Sequence, residues 1–188
     1  ARLDSLAPSE TVGGMRRDLE RMRLLVDQLL LIARLEARQL VMDEAVDLVA
    51  LARDAAADCT PLAIASGRDL ALLAVTDAAT VRGNARVLHG ALRNLVENAI
   101  RAEPVGGTVK IAVGPGLAVA VIDHGRGVDE ADRDRIFEPF WRREDSHPGT
   151  GLGLAIVREA AQVHGGKVIV DDTPGGGATF RLIFGQTA

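Results

Sequence analysis

One segment of the sequence, RNLVENAIRA at residues 93–102, carries polar side chains at spacings suited to phosphate chemistry. Asn94, Asn98 and Arg101 lie at i, i+4 and i+7, so they share one face of a helix. An asparagine oxygen is a hard ligand suited to Mg²⁺, and an arginine guanidinium supplies charge to phosphate oxygens. Glu97 is expected to point away from this stripe. The cluster indicates a site for a metal-bound polyphosphate, although a solvated helix face would show the same pattern.

A second polar cluster, VIDHGRGVD, directly follows an apolar strand. Asp123 stands at the end of that strand, where an ionised carboxylate can accept a hydrogen bond from an exocyclic amine. Gly125 and Gly127 permit positive φ and a close approach of the backbone to a flat ligand. Many ordinary turns share the D-x-G-x-G spacing, so this cluster gains meaning only beside the others.

The segment IFEPFWRR collects three of the five aromatic residues of the chain beside two arginines. The aromatics are Phe137, Phe140 and Trp141, and the arginines are Arg142 and Arg143. An aromatic hinge on a mobile loop that carries cations would suit a lid over a nucleotide. The same aromatics could also pin an ordinary loop to the core, and the two interpretations are compatible.

A glycine-rich turn, GTGLGLAIV, runs straight into a helix. The backbone N–H groups from Gly149 to Gly153 and the positive end of the helix dipole would form an anion site. The turn is not a Walker A loop, because the Lys-Ser/Thr ending is missing. It is not the dinucleotide-binding fingerprint either, because it follows a long loop instead of the first strand of a βαβ unit.

Composition limits the classes of protein to consider. The chain has 188 residues, of which 47% are hydrophobic, and a net charge of −4. These values exclude general disorder and give no basic field for nucleic acid. A single cysteine excludes an internal disulfide framework and a multi-cysteine zinc site. No apolar run reaches the ~18 residues of a membrane span, and the first residues lack signal-peptide features. Because the sequence opens on Ala1 without an initiator Met, we expect a fragment of a longer protein.

The elements that position these clusters alternate along the chain from about Leu40. VMDEAVDL is predicted to be a short strand ending at Asp47, the N-cap of the helix LVALARDAAADC. Asn84 is predicted to cap the helix ARVLHGALRNLVENAIRAE. DLALLAV has strand length, TVKIAV and LAVAVID form a predicted hairpin, and KVIVDD and ATFRLIF form another. The pattern indicates an α+β fold, with one antiparallel or mixed sheet covered by helices on one face.

The segment from Thr11 to about Leu40 is predicted to form one long helix. Its apolar residues alternate at spacings of three and four, the pattern of a bundle seam. They are Leu19, Met22, Val26, Leu29 and Ala33. So wide an apolar face would not stay single in water. The helix could pack on its own globular domain or join a bundle or dimer, and the sequence leaves both open.

Together, in this order and spacing, the four clusters resemble the ATP-binding domain of sensor histidine kinases of two-component systems. RNLVENAIRA looks like the N box of that family, DHGRGVD the G1 box, FEPFWR the F box and GTGLGLAIV the G2 box. The larger ATPase group also contains gyrase, MutL-type repair proteins and the heat-shock chaperone ATPase. The resemblance implies a two-layer α/β sandwich at residues 41–188, preceded by a long bundle-forming helix. Residues 1–40 would be part of a dimerisation and histidine-phosphotransfer hairpin, namely its second helix.

The resemblance also implies roles within a site for ATP and Mg²⁺. Asn98 would hold the Mg²⁺ that bridges the phosphates, with Asn94 beside it. Arg101 and Arg142 would contact phosphate, and Asp123 would bind the adenine amino group. Thr179 would complete the adenine pocket through hydroxyl or water contacts. The other implied binding residues are Gly125, Gly127, Phe137, Gly149, Thr150, Gly151, Leu152 and Gly153.

Two positions depart from the pattern of the family. Hydrolytic relatives carry a Glu one helical turn before the Mg²⁺-binding Asn, whereas this chain has Asn94, which cannot take a proton at neutral pH. Phosphoryl transfer needs positioning and charge stabilisation more than a base, so this departure favours a kinase over an ATPase. The family's aromatic residue after the N-box cation is Ala102 here. Lost stacking would cost about 1 kcal/mol of nucleotide affinity.

The acceptor histidine that the resemblance implies is missing, since no His precedes His89. The chain as given is therefore expected not to phosphorylate itself. The other histidines are predicted to be incidental, and His164, in the HGG turn, is predicted to be structural.

Partners and location follow from the same resemblance. The partners would be the protein's own acceptor-histidine helix or a second protomer, and the receiver domain of a response regulator. The full protein is expected to be a membrane-anchored homodimer, with this part as a cytoplasmic domain of an inner-membrane sensor. Two alternatives stay open: a non-catalytic nucleotide-binding or interaction module, and an anti-sigma-type serine kinase. The leucine-rich first helix counts against the serine kinase.

Overall fold

The fold is an α+β sandwich, as the sequence predicts. A computed structural model describes residues 15, 19, 22, 25–26, 28–35, 37, 40–74, 79–143 and 150–185. The strands are β1 (Glu44–Asp47), β2 (Asp69–Ala74), β3 (Thr80–Gly83), β4 (Thr108–Val113), β5 (Ala118–Ile122), β6 (Gly166–Asp172) and β7 (Ala178–Phe184). The helices of the sandwich are α1 (Leu48–Ala65), α2 (Ala85–Ala102) and α3 (Gly153–Val163). Two 3₁₀ turns, Glu130–Asp132 and Arg135–Phe137, lie between β5 and α3.

The main sheet is mixed and has five strands in the order β2-β4-β5-β7-β6. The β4–β5 and β6–β7 pairs are antiparallel, which confirms the two predicted hairpins, and β2 pairs with β4 in parallel. Alternate residues of β4 reach the core, where Val109, Ile111 and Val113 are fully buried, while the residues between them are half-buried. One face of the sheet therefore packs against the helices.

A second, two-stranded sheet pairs β1 with β3. The sequence predicted β1 but not β3. Four residues are too few to show a period, and β3 is recognisable as a strand only through its partner some 40 residues away in the sequence. This small sheet leads directly into α2, which carries the predicted phosphate stripe.

Side-chain caps set the starts of α1 and α2. Asp47 accepts hydrogen bonds from the backbone N–H groups of Val49 and Ala50, and Asn84 accepts one from Val87. Both predicted N-caps are confirmed. Helix α1 runs to Ala65, six residues past its predicted end, with Pro61 inside it. Burial of Ala63 against the core outweighs the hydrogen bond that a proline within a helix removes.

Helix α2 lies at the centre of the helical layer. Its core face is fully buried at Leu92, Leu95, Val96, Ala99 and Ile100. It packs against α1 on one side and α3 on the other. A helix enclosed on three sides is held rigidly, so the polar stripe on its fourth side has a fixed place in the fold.

The N-terminal helical segment, whose described helical residues are 15, 19, 22, 25–26 and 28–35, presents two different apolar faces. One face packs on the sandwich, where Ile32 and Leu35 are buried. The other is exposed. Its large exposed apolar residues are Met15, Leu19, Met22, Val26, Leu29 and Leu30. The segment thus packs on its own domain with one face and leaves the predicted seam open. The predictions for residues 1–14 lie outside the described residues.

Among the residues that the structure describes, no helix is both long enough and apolar enough to cross a membrane.

His164 joins three elements at the base of α2, as its predicted structural role requires. Its Nδ1 donates to the Ala160 carbonyl at 2.6 Å, and its Nε2 accepts from the backbone N–H of Asn84 at 2.9 Å. The ring also meets Phe184 edge-on, at a centroid distance of 6.4 Å. This arrangement requires a neutral imidazole, because protonated Nε2 cannot accept a hydrogen bond.

We expect the unfolding free energy to fall in acid because of His164. Burial lowers the pKa of His164 from its usual 6.5, so protons bind the unfolded chain first. The stabilisation is complete above that value and is lost as the pH falls through the lowered folded-state pKa. Urea unfolding at about pH 7.5 and about pH 5 measures the loss. The variant His164→Gln should lose this part of the pH dependence, whereas His89→Gln should keep it. An unchanged pH profile in His164→Gln would contradict the assignment.

Candidate functional site

The two asparagines of α2 face the start of α3. Asn94 and Asn98 are both half-buried, and neither side-chain amide has a hydrogen-bond partner within the described ranges. A Cβ placed on Gly153, the first residue of α3, would lie 3.7 Å from the Asn94 side chain. The structure therefore brings the stripe on α2 next to the helix N-terminus that the glycine-rich turn creates. Unpaired amides at such a junction are available to a ligand.

Arg101 lies elsewhere than the stripe implies. Its guanidinium pairs with Glu97 at 3.0 Å, and Arg93 pairs with the other oxygen of the same carboxylate at 3.4 Å. Glu97 and Arg101 are spaced i, i+4, which favours this pairing over an approach to Asn98. The pair is solvent-exposed and would contribute at most about 1 kcal/mol, so a phosphate could still displace the carboxylate. The phosphate role of Arg101 stays a prediction.

Asp123 is a buried carboxylate with one uncommitted oxygen. Its side chain belongs to a residue that is 1% exposed. Oδ1 accepts hydrogen bonds from the N–H groups of Gly125 at 2.9 Å and Ala178 at 3.3 Å. Among the described residues, Oδ2 has no hydrogen-bond partner. Burial raises the pKa of Asp123, and the two backbone hydrogen bonds oppose that shift. A ligand that donates to Oδ2 would relieve the cost of burying this charge.

Glycines allow three backbone segments to meet around Asp123. A Cβ on Gly125 would lie 2.5 Å from the Ala102 carbonyl oxygen, and one on Gly127 would lie 3.0 Å from the Gly177 carbonyl. Gly127 and Gly177 have φ of +75° and +104°. A Cβ on Gly177 would overlap the carbonyl of Asp123. Gly127 thus takes the predicted positive φ, whereas Gly125 is required for its close approach to the end of α2.

Gly125→Ala is expected to weaken nucleotide binding about tenfold and to destabilise the fold by about 1–3 kcal/mol, because the methyl group would push the loop off α2. Gly90→Ala is the matched control. A Cβ at Gly90, inside α2, meets nothing within 4 Å, so this change should stabilise the chain by about 0.5–1 kcal/mol. Calorimetric titration with an ATP analogue and urea unfolding measure the two effects. Equal behaviour of the two variants would refute the close-approach argument.

Thr179 lies opposite Ile122, the residue before Asp123, in the β5–β7 pair, but its hydroxyl is bonded elsewhere. Its Oγ1 is 2.8 Å from Oγ1 of Thr173, and both residues are buried. The neighbour Ala178 makes the contacts with Asp123, donating to Oδ1 and accepting from the Asp123 N–H. The adenine role of Thr179 stays a prediction.

The aromatic segment divides into an anchor and an exposed part. Phe137 is buried and meets Phe180 edge-on at a centroid distance of 6.3 Å. Phe140 is 59% exposed, has φ of +66°, and donates its N–H to the Gly151 carbonyl at 3.0 Å. A positive φ outside glycine stores strain and is typical of functional segments. Phe137 therefore pins the loop, and Phe140 joins it to the glycine-rich turn.

The two arginines of this segment differ in their surroundings. Arg143 pairs with Asp129 at 2.9 Å and with Asp132 at 3.3 Å, which fastens the end of the segment to the first 3₁₀ turn. Arg142 is exposed. Its predicted reach toward phosphate stays a prediction.

The glycine-rich turn contacts the N-terminal helical segment. Thr150 Oγ1 donates to Gln28 Oε1 at 2.9 Å and accepts from the Leu152 N–H at 3.3 Å. Leu152 is fully buried and packs with Ile32. Gly151 has φ of +74°, as a tight turn requires. Gly149 lies outside the described residues.

Sequence reasoning missed three of the groups around the site: Gln28, Thr173 and Gly177. Gly177 had a signal, since it belongs to the glycine run before β7. Gln28 and Thr173 had none, because their partners are distant in the sequence or outside any recognised cluster. A cavity of about 310 Å³ is lined by none of the predicted site residues. It lies between the N-terminal segment and the end of α3, at Leu35, Met42 and Val163.

The sequence that forms this site matches a described protein family. Residues 83–188 match the family described as histidine kinase-, DNA gyrase B-, and HSP90-like ATPase. The matched part holds all four clusters.

Among curated proteins, the sensor protein IrlS of Burkholderia pseudomallei is 42% identical over 119 residues, covering 60% of this chain and 26% of IrlS. The sensor histidine kinase CpxA of Escherichia coli is 43% identical over 106 residues, covering 54% of this chain and 23% of CpxA. The chain thus spans about a quarter of the length of these curated relatives.

Solved structures agree with the sequence matches. Full-length ShkA, solved in complex with AMPPNP, superposes with a TM-score of 0.82 at 29% identity, covering 98% of this chain and 40% of ShkA. The mycobacterial sensor histidine kinase MprB superposes with a TM-score of 0.67 at 27% identity, covering 76% of this chain and 96% of that one.

Proposed function

The chain belongs to the family of histidine kinase-, DNA gyrase B-, and HSP90-like ATPases, as the histidine kinase ATPase domain of a sensor kinase, and from this premise we propose its reaction and its site. It binds ATP with Mg²⁺ and transfers the γ-phosphoryl group to a histidine. The phosphoryl group then passes to an aspartate of a response regulator. The observation that carries the proposal is the uncommitted Oδ2 of buried Asp123 beside a glycine-built cradle.

The base of the nucleotide fits this cradle. Oδ2 of Asp123 accepts the exocyclic amine of adenine, which gives the buried carboxylate the donor it lacks within the described part of the chain. Gly125, Gly127 and Gly177 permit the backbone segments to close around it. Their backbones leave a flat wall next to the carboxylate, since none of them has a side chain.

The phosphates fit the junction of α2 and α3. Asn98 supplies the oxygen that holds Mg²⁺, and Asn94 lies one turn before it, against Gly153. The N-terminus of α3 attracts anions through its dipole and the N–H groups of its first turn. Mg²⁺, when bound, neutralises charge on the phosphates. Arg101 and Arg142 add positive charge at this end.

Asn94 favours transfer to histidine over hydrolysis. An amide cannot take a proton from water at neutral pH, so water is not activated at this position. Because no base activates water at this position, bound ATP persists until a stronger nucleophile arrives. An imidazole nitrogen needs no general base to attack, which matches the residues present.

The wider assembly is part of the proposal. The N-terminal helical segment serves as the second helix of a dimerisation hairpin, and its exposed seam joins a four-helix bundle with a second protomer. A separate acceptor helix carries the histidine that receives the phosphoryl group. The receiver domain of a response regulator takes the phosphoryl group. The protein works as the cytoplasmic part of a membrane-anchored sensor.

Calorimetric titration of this chain with a non-hydrolysable ATP analogue, with and without Mg²⁺, tests the binding step. We expect a dissociation constant below the millimolar range that depends on Mg²⁺. Absence of binding to the folded chain would refute the proposal. Mixing the chain with an extended form that carries an acceptor-histidine helix tests the transfer, with radiolabelled phosphate expected on histidine. Label on serine would instead favour the serine kinase.

A further inference from the structure

Glu103 is a buried carboxylate without a part in the site as described so far. It directly follows α2, and its side chain is 3% exposed. Its Oε2 accepts the backbone N–H of His124 at 2.7 Å and lies 3.5 Å from Nδ1 of the same residue. Burial of a carboxylate is costly unless it is well paired. A group kept in such a place needs a reason beyond capping the end of a helix.

The backbone of Glu103 is fixed on both sides. Its N–H donates to the Ala99 carbonyl at 2.8 Å, and its carbonyl accepts from Nε of Arg68 at 2.7 Å. Its side chain lies over Gly107, where a Cβ would overlap the carboxylate. The Glu103 carboxylate therefore has a defined position relative to α2. Any group that the carboxylate binds is fixed relative to α2 as well.

The Glu103 carboxylate binds the loop that follows β5. Two consecutive N–H groups of this loop are taken by carboxylates, that of His124 by Glu103 and that of Gly125 by Asp123. His124 directly follows Asp123, so the bond from Glu103 fixes the peptide unit from which the Asp123 side chain departs. In addition, Gly125 lies on the carbonyl of Ala102, the residue before Glu103. The end of α2 thus braces the adenine end of the site.

We propose that Glu103 is a positioning residue for adenine recognition, which holds the His124 N–H so that Asp123 keeps its place and its uncommitted oxygen. The inference deepens the proposed function and rests on it, because it takes Asp123 as the acceptor of the exocyclic amine. Glu103 acts through the loop and does not touch the nucleotide.

The test compares two nucleotides that differ at the amine. Purine riboside triphosphate lacks the exocyclic amine of ATP but keeps the ring and the phosphates. In Glu103→Ala the dissociation constant for ATP should rise about tenfold, and that for purine riboside triphosphate should change less than about twofold. The preference for ATP therefore falls. Glu103→Gln keeps an oxygen acceptor for the His124 N–H and should retain most of the preference.

A double variant checks the route. In an Asp123→Asn background, Glu103→Ala should cost no further ATP affinity, because both changes act on one contact. Glu103→Met keeps the volume of the side chain without an acceptor, and it replaces the alanine variant if that one does not fold. Equal weakening of both nucleotides, or additive losses in the double variant, would overturn the positioning role. Failure of the parent chain to bind ATP would instead overturn the proposed function.

Discussion

Asp123→Asn is expected to lower ATP affinity by about 10- to 100-fold while leaving the folded domain at least as stable as the parent chain. The loss arises because Oδ2 becomes an amide NH₂, which meets the donor amine of adenine with another donor. The stability follows from burial. Burial raises the pKa of Asp123, so the ionised group costs folding free energy at neutral pH, and the neutral amide avoids this cost of burying a charge. Asparagine also keeps the Oδ1 that Gly125 and Ala178 bond.

The pH dependence of the unfolding free energy provides a second test of the same variant. A carboxyl group with a raised folded-state pKa favours folding below its unfolded pKa, and this contribution is lost as the pH rises through the folded value. The parent chain should therefore lose stability over that interval, and Asp123→Asn should not. Calorimetric titration and urea unfolding at several pH values measure both effects. A destabilised variant with unchanged ATP affinity would contradict the assignment of Asp123.

Asn98→Ala is expected to abolish the Mg²⁺-dependent part of ATP affinity and to slow phosphoryl transfer about 100-fold or more. The Asn98 side chain makes no hydrogen bond to the described residues, so its truncation removes a ligand contact at little cost to stability. The site has no cluster of three or more acidic, histidine or cysteine groups within the described ranges that could bind the metal in its place. One amide oxygen would therefore carry the protein's share of the coordination.

Asn98→Asp is the matched control for this experiment. It keeps an oxygen at nearly the same place, so Mg²⁺ dependence should persist, while Asn98→Ala should bind ATP equally with and without the metal. Titration of the ATP analogue over a range of Mg²⁺ concentrations measures the dependence, and transfer to an added acceptor-histidine helix measures the rate. If alanine retained the metal dependence, Asn98 would not be the ligand.

Local sequence signals were enough to predict most elements of the fold. Asp47 and Asn84 each cap a helix by bonding N–H groups two or three residues away, so residue type and position define the start. The two hairpins were predictable because glycine-rich turns separate short apolar runs. Strand β3 was not predictable, since four residues carry no period. The extension of α1 past Pro61 depends on burial against other elements, which sequence alone does not give.

The chemistry of the site was predictable at the level of backbone position and less so for side-chain direction. Asp123 directly follows β5, as the pattern predicts, whereas the burial of its carboxylate is seen only in the structure. The i, i+7 spacing predicts Arg101 on the asparagine stripe, whereas its guanidinium pairs with Glu97, one helical turn away. For Thr179, the period of two along a strand decides which face the hydroxyl takes, and that could only be counted once the register with β5 was known.

The two apolar faces of the N-terminal helical segment lie about a third of a turn apart, counting about 100° per residue. Leu25, Ile32 and Leu35 turn toward the sandwich, while Leu19, Val26 and Leu29 turn away from it. Because the sandwich packs on the inward face alone, the outward face of the helical segment stays exposed. If two copies associate through the outward side, as proposed, that equilibrium depends on protein concentration, whereas release of the sandwich from the inward side is intramolecular and does not. Dilution would then separate the two copies while the glycine-rich turn stays packed on the helical segment. A signal that releases the turn would leave the two copies associated.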